Sequence, residues 1–584
     1  MIRRAALPLV IALITGVCFL PALSGSFLNW DDNVNFLDNP DYRGLGRQQV
    51  RWAATTVLFG HYIPLTRLTW SANYALGSMD PWGYHLVNLM LHAANATILY
   101  FVARRLLAAA TGDGVPRALP DHEIAVGAAT AALVFGLHPL RVEPVAWITA
   151  RADLLCATFV LLAVWAYLRA VETGGAGRTG AIVLSALAYA AALLSKGVAL
   201  PVPAALFLLD VYPLRRFSRV SWRSLVKEKV PLLFVMVLGA VVVLYAVRHG
   251  AVLTQASAYG PVARITAVIY SCVVSLYRFL WPASLSPLYE MPASISLLQP
   301  RFGLAAGAAV LITVALVACR RRWPAGLAAW GFSALLLAPT SAALRQGADL
   351  APDRYSYLAG LGFAMLVGGA AFTVARLARR GVLSRTMAVI VGVTALVGLA
   401  ALGAASWSFA QVWRDSETLW RWAVEVDPEC SVCYGKLGES VLGGRGGASR
   451  VSEAEGMLRR AIALRPDLPD AYYNLGTALV LQGRYAEAED PLRKYMERVP
   501  RAAAGPERLG LVYLLEGRYA AAVPLLRLAL VQRPDAPGLR GYLVDALQGY
   551  GRQLRAQGRN ADADALAAEA RALDGTTGSG GPSR

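Results

Sequence analysis

Two neighbouring carboxylates, Asp31 and Asp32, follow the first long apolar run of the chain, immediately after Trp30. Adjacent side chains seldom point the same way, so one can face a reacting group while the other binds a metal ion or fixes the loop. A carboxyl group against an apolar wall has its pKa raised towards the range useful to a general base. Further along, His85, Asn88, His92 and Asn95 are spaced by 3, 4 and 3 residues and share one helix face. The two histidines are about 10 Å apart along such a helix, which argues against a shared metal ion and for hydrogen bonding between helices. His85 is the one near enough to the end of the helix to reach a site. Arg141, Arg151, Lys196 and Arg354 are candidate phosphate partners, because a cation in a low-dielectric cleft stabilises a phosphate strongly. Each can instead pair with a carboxylate such as Glu143, Asp153 or Asp353, and a structural Arg151–Asp153 pair is the expectation. No glycine-rich nucleotide loop, zinc motif or Ser/His/Asp arrangement accompanies them, which disfavours an ATP-driven pump.

The elements that position these residues are membrane spans. Of 584 residues, 56% are hydrophobic and only 16% charged, and the apolar residues come in long runs. That excludes an ordinary soluble enzyme, a disordered chain and a disulfide-stapled miniprotein. Fifty-six Lys and Arg against 38 Asp and Glu give a formal charge of +18. In a soluble protein this would point to nucleic acid; here the placement of the charges matters more, and no nucleic-acid partner is expected. A bilayer core of about 30 Å needs about 20 apolar residues per helix. Runs near 5–23, 86–106, 124–138, 153–170, 180–194, 197–212, 231–247, 302–319, 325–340, 356–376 and 386–406 approach that test, about eleven spans in all. The first resembles a signal peptide but has a longer apolar region, and is read as a retained helix. The Lys/Arg bias of short loops places the N-terminus in the cytoplasm and everything after 406 on the outer side. Residues 264–281 are apolar enough to span, but a span there would reverse Arg320, Arg321 and Arg322; a re-entrant or interface-lying helix is expected instead. The acidic pair, His138 to Glu143, Asp153, Lys196 and Arg354 then all gather on the outer face, where charge need not be buried in lipid.

After Ser406 the chain becomes amphipathic and charged, with a 34-residue period. Asn474-Leu475-Gly476 recurs as Arg508-Leu509-Gly510, Gly483-Arg484-Tyr485-Ala486 as Gly517-Arg518-Tyr519-Ala520, and Pro466, Pro500 and Pro534 keep the spacing. An earlier copy at Leu437-Gly438 is displaced by the glycine-rich stretch 443–447. This is the tetratricopeptide pattern, so residues 407–573 are expected to form a short superhelix with a concave groove for an extended peptide or protein. Residues 574–584 are expected to be a disordered tail. Cys430 and Cys433 can form a disulfide or simply pack in a helix; without a following His they do not attach haem.

The motifs in order resemble those of the transmembrane and tetratricopeptide-repeat-containing (TMTC) protein O-mannosyltransferases and their bacterial relatives, in the GT-C glycosyltransferase superfamily. They are Trp30-Asp31-Asp32, Tyr62-Ile63-Pro64-Leu65-Thr66, Tyr84-His85-Leu86-Val87-Asn88, His138-Pro139 with Glu143, Arg151-Ala152-Asp153-Leu154-Leu155, Ser195-Lys196, Asp353-Arg354-Tyr355-Ser356-Tyr357-Leu358, and the repeats. The resemblance implies an all-α, GT-C-like membrane bundle over residues 1–406 followed by the repeat superhelix. It implies transfer of a sugar from a polyprenyl-phosphate donor to a hydroxyl, of Ser or Thr in exported proteins, with inversion. Asp31 and Asp32 would supply the base and a metal- or acceptor-positioning group, the metal falling to Asp32. His85, His138, Arg141, Glu143, Lys196 and Arg354 would contact substrate, the cations neutralising the lipid phosphate with or without a divalent ion (Mg or Mn). Membrane lipid would surround the spans, the repeat groove would present the acceptor, and a bacterial inner membrane would be the location. The competing readings are a non-enzymatic repeat scaffold and a glycosyltransferase acting on lipid or cell-wall glycan.

Overall fold

A computed structural model describes residues 2–111, 121–249, 259–339, 349–444, 446–536 and 538–575. The chain divides into two compact units, Met1–Trp422 and Ala423–Arg584. Among the described residues there is no strand, and the sole β-pairings are two isolated bridges, Leu58 with His61 and Glu290 with Asp349.

The first unit begins with α1 (Ile2–Cys18), α2 (Arg47–Thr55), α3 (Pro64–Gly77), α4 (Pro81–Thr111) and α5 (Asp121–Leu137). It continues with the short α6 (Val142–Ala146), then α7 (Arg151–Glu172), α8 (Gly175–Ser195), α9 (Val202–Val211) and α10 (Trp222–His249). The remaining helices are α11 (Pro261–Leu280), α12 (Pro300–Ala318), α13 (Pro324–Leu337), α14 (Ser356–Ala359), α15 (Leu361–Arg379), α16 (Arg385–Val412) and α17 (Ser416–Val426). Eight described helices are long and apolar enough to cross a membrane, nine if the bent pair formed by α5 and α6 is one span. Shorter apolar helices coincide with the other expected spans, near α1, α9 and α13. The protein is a multi-pass membrane protein. The helix α11 is unbroken over 20 residues and has the length and composition of a span.

Local sequence accounts for the boundaries. Prolines at Pro64, Pro261, Pro300 and Pro324 occupy first helical turns, where a missing N–H costs nothing. Pro139 ends α5, and the chain turns by 60° into the segment 139–146. The close approach of α5 to α15 needs glycine on both sides: a Cβ on Gly127 would lie 2.7 Å from the Gly368 carbonyl oxygen. At 31 residues, α4 is about 46 Å long and overshoots a bilayer core, so its first turns lie level with loops.

In the second unit the helices pair as α18 (Ser431–Gly443) with α19 (Val451–Leu464), α20 (Pro469–Leu481) with α21 (Tyr485–Arg498), α22 (Ala504–Leu515) with α23 (Tyr519–Gln532), and α24 (Leu539–Ala556) with α25 (Asn560–Gly575). The repeated glycine is the contact point within three pairs. A Cβ on Gly438, Gly476 or Gly510 would come within 2.8 Å of Leu458, Leu492 or Leu526 respectively. Gly483 and Gly517 turn the chain between the paired helices at φ of +73° and +72°. Cys430 and Cys433 form a disulfide at the start of α18. The expected tail from 574 still belongs to α25 up to Gly575; residues 576–584 lie outside the described residues.

Candidate active site

The segment 138–153, between the end of α5 and the first turn of α7, organises the site. The polar stripe of α4 fastens it. Asn88 Nδ2 donates to the carbonyl oxygens of Val145 (3.3 Å) and Trp147 (3.2 Å), and Asn95 Nδ2 to that of Leu154 (3.0 Å). His92 Nε2 meets the Gly136 carbonyl (3.0 Å), which can only accept, so Nδ1 accepts from the Tyr357 hydroxyl (2.7 Å). The stripe is therefore an interhelical hydrogen-bonding face, as its spacing indicated. His85 differs. It is 1% exposed, packs beside Gly25, and neither ring nitrogen has a hydrogen-bond partner.

Asp32 is fully buried and its carboxylate is held from two sides. Oδ2 accepts from Leu28 N (2.9 Å), and Oδ1 accepts from Thr149 N (3.3 Å) and the Thr149 hydroxyl (2.6 Å). Burial pushes its pKa up to about 7, although these hydrogen bonds pull the other way. Asp31 is half-buried beside it. The loop that carries both is pinned by Ser26, whose N–H and hydroxyl donate to the Arg414 carbonyl (2.8 and 3.1 Å). Asn29 accepts from Trp420 Nε1 at 2.7 Å, and the Trp30 ring packs edge-on against Trp420, 5.2 Å between centroids.

Trp147 connects this loop to the cations, lying 6.4 Å from Trp30 on one side and 5.3 Å from the Arg354 guanidinium on the other. Arg354 donates to Glu143 from its side chain and from its backbone N–H (2.8 Å), and reaches Asp349 at 3.5 Å. Lys196 pairs with Asp153 at 2.5 Å and lies 5.7 Å from the Tyr355 ring. Asp32, Glu143, Lys196 and Arg354 thus belong to one contiguous cluster. Next to it, Arg278 pairs with Asp353 (3.0 Å), and Tyr289 donates to the other Asp353 oxygen (3.2 Å). Burial pushes Asp349 up to about 7; Arg354 opposes the shift and Glu143 adds to it.

Two expected substrate contacts lie behind the cluster. His138 is spent on the fold: Leu140 N donates to Nδ1 (3.2 Å), so Nε2–H donates to the Phe279 carbonyl (2.9 Å), and the ring stacks on Phe279. Arg141 is 0% exposed, donates to the Ser356 hydroxyl (3.2 Å), and lies over Phe135 and Tyr357; its Nε and Nη2 have no protein partner. The expected Arg151–Asp153 pair does not form. Residues two apart on a helix point to different sides. Arg151 turns to Asn88 Oδ1 (2.9 Å), Asn73 Oδ1 and the Tyr84 carbonyl (2.9 Å), while Asp153 faces Lys196.

Several contributors were not singled out from sequence: Thr149, Trp147, Arg278, Tyr289 and Asp349. Only Thr149 and Trp147 carried a signal, their position beside the Arg151 motif. The donor set does not fit a resident divalent ion at Asp32, since both carboxylate oxygens are engaged by protein donors. Among the described residues no three His, Cys, Asp or Glu side chains gather to hold one either.

Fold and site together define an all-α, multi-pass membrane protein with an acidic and cationic cluster at one end of its bundle, joined to a helical repeat unit. Residues 447–505 match the tetratricopeptide repeat family. The chain is similar to curated TMTC proteins. It is 30% identical to protein O-mannosyl-transferase TMTC4 of Homo sapiens over 223 residues, 36% of this chain and 30% of that one. It is 33% identical to protein O-mannosyl-transferase Tmtc1 of Drosophila melanogaster over 193 residues, 32% and 20% of the respective chains. The matches thus span less than a third of these relatives' length. Among solved structures, ArnT from Cupriavidus metallidurans bound to undecaprenyl phosphate aligns over 85% of this chain and 80% of its own, at 17% identity and a TM-score of 0.35.

Proposed function

We propose that this protein is an integral-membrane glycosyltransferase that moves a sugar from a polyprenyl-phosphate donor to a hydroxyl of Ser or Thr in exported proteins. The observation that carries the reading is the division of labour within the acidic pair. Asp32, held by the Leu28 and Thr149 donors, fixes the loop, and Asp31, half-buried on that same loop, is the general base. The acceptor oxygen attacks the anomeric carbon, Asp31 takes its proton, and the bond from that carbon to the lipid phosphate oxygen breaks. Lys196 and Arg354, held in place by Asp153 and Glu143, face the departing phosphate and offset its charge. No step is routed through a metal ion. The similarity to protein O-mannosyltransferases supports a protein acceptor, and the repeat unit supplies a groove that presents it. The Cys430–Cys433 disulfide supports placing that unit outside the cytoplasm, with the bundle in a bacterial inner membrane.

The test is transfer by the purified protein from radiolabelled polyprenyl-phosphate mannose or glucose to an envelope extract. Label entering protein with wild type but not with Asp31→Ala supports the reading. Label entering lipid alone would replace the protein acceptor with a glycan or lipid. No transfer by a folded wild type from either donor would overturn the reading in favour of a scaffold.

A further inference from the structure

We propose that the groove between α1, α5 and α16 is the loading site for the isoprenoid tail of a lipid phosphate, whose phosphate is received by Arg414 at the groove's mouth. This inference rests on the glycosyl-transfer reading above, and adds where the lipid enters and which residue recognises its headgroup.

The groove has a volume of about 580 Å³ and is lined almost wholly by apolar atoms. That is within the roughly 300–1,000 Å³ range of ligand sites. Its floor is the small-residue face of α16, Ala400, Gly403 and Ala404, and its walls include Leu13 of α1 and Leu133 of α5. Bulky residues stand beside the floor at Leu396 and Trp407, so the small side chains of α16 deepen the groove between the three helices. An apolar trough on the lipid-facing side of a bundle accepts a hydrocarbon chain without dehydrating anything polar.

At one end the character changes. Trp407 also borders a second groove of about 350 Å³, lined by Leu20, Pro21, Ser24, Gln411 and Arg414. An occupant continuous across both therefore has a long apolar part and a compact polar end. Arg414 sets the sign of that end. Its Nε pairs with Asp415 at 3.1 Å, and Asp415 in turn caps the first turn of α17 through Thr418 N (2.8 Å). The two terminal nitrogens of this exposed guanidinium remain to bind an anion in the planar, two-pronged geometry that suits a phosphate. The mouth is tied to the loop that carries the acidic pair. Ser26 is hydrogen-bonded to Arg414 itself, and Asp31 follows five residues later on the same pinned loop.

The experiment uses the full chain in nanodiscs and a polyprenyl phosphate with a photoreactive diazirine in its isoprenoid tail, followed by mapping of the labelled peptides. Label is expected on α1 and α16, displaced by unlabelled polyprenyl phosphate and not by phosphatidylglycerol. Filling the floor with Ala404→Phe or Ala400→Phe lowers labelling about tenfold, a change of about 1.4 kcal/mol. With Arg414→Gln, binding of the phosphate falls about fivefold while binding of the uncharged polyprenol is unchanged. Saturable label elsewhere in the bundle would overturn the groove while leaving the donor reading intact. Label equally displaced by phosphatidylglycerol would make it an ordinary lipid contact and overturn the proposal. Absence of any saturable label on folded wild type would overturn both. Because the wild-type map needs no substitution, a misfolded variant does not protect the proposal.

Discussion

The helix α7 carries a charged cluster near each end, and the two are built to opposite standards. Near its C-terminal end Tyr167 donates to both Asp210 oxygens (2.7 and 2.8 Å) and accepts from Lys229 (2.7 Å) and Arg216 (2.8 Å). Lys229 also pairs with Asp210, and Arg216 reaches Asp210 (3.3 Å) and Glu228 (2.8 Å), with Arg178 closing the set on Glu228. Lys229 and Asp210 are fully buried, and each charge has an opposite partner. This network ties α7, α9 and α10 together and asks nothing of a ligand. At the N-terminal end the pairs around Asp153, Glu143 and Asp353 are equally real, but the set is left open. Arg141 and His85 are buried with nitrogens unpaired, and Asp32 is held near neutrality at about 7. Near-complete pairing suits the end that holds the bundle; buried polar groups left over single out the other end as the candidate site.

The largest effect expected from breaking this contrast is at Asp31. Asp31→Asn is expected to lower transfer by about 10²–10⁴-fold, the usual worth of a general base, while thermal unfolding in detergent stays at the wild-type temperature. A matching fall in unfolding temperature would return Asp31 to the structural class. At the other end the pattern inverts. Lys229→Met leaves Asp210 with fewer cations in a fully buried site and is expected to cost about 3–5 kcal/mol of stability, the range for breaking a buried pair. Transfer per folded molecule is expected to be unchanged, which a titration of active sites against folded protein checks.

These two clusters also show what could be read from the chain in advance. The acidic pair, the α4 stripe and the 34-residue repeat were legible because each is a local pattern, set by adjacency, helical spacing or recurrence. The partners of the charges were not. Asp210 sat inside an apolar run and Lys229 at the edge of another, and their meeting depends on how α9 and α10 pack. Arg278 was hidden in a segment noted for its hydropathy, and Arg151 was matched with the carboxylate nearest in sequence, whereas a helix sends those two side chains apart. Thr149 holds Asp32 across 117 positions, a contact that no local rule contains.

Asp32 sharpens the comparison by its pH dependence. Its carboxyl moves from a usual 3.8 when unfolded to about 7 in the fold. Between those values the folded state keeps a proton that the unfolded chain has released, so this group's contribution to stability is full below about 4 and is lost as pH rises through 7. Asp32→Asn removes the titration. The unfolding temperature of wild type relative to Asp32→Asn is therefore expected to fall by several degrees between pH 5 and pH 8, measured by thermal melts at both. The same titration weakens the carboxylate's hold on Leu28 and Thr149 below pH 7. Wild-type transfer is accordingly expected to show an acid limb near 7 that flattens in Asp32→Asn. An identical limb in both proteins would remove Asp32 from the positioning of the loop.

The smallest effect belongs to the repeat unit, whose charges are numerous but exposed. Glu489 accepts from Arg493 (2.7 Å), Arg518 (2.7 Å) and Tyr513 (2.7 Å), a network that looks on paper like the one at Asp210. Its arginine side chains are 57% and 46% exposed, so water and salt screen what burial would have strengthened. Arg493→Ala is expected to shift unfolding by less than about 2 °C, and by less still at high salt. The repeat unit's continuous hydrophobic core closes around glycine-to-leucine contacts, so Gly476→Val, which drives a branched side chain into Leu492, is expected to cost several times more than Arg493→Ala in the same melt. Equal effects would mean that the exposed network, and not the glycine contact, sets the repeat's stability; the distinction drawn between buried and exposed charge would then fail for this protein.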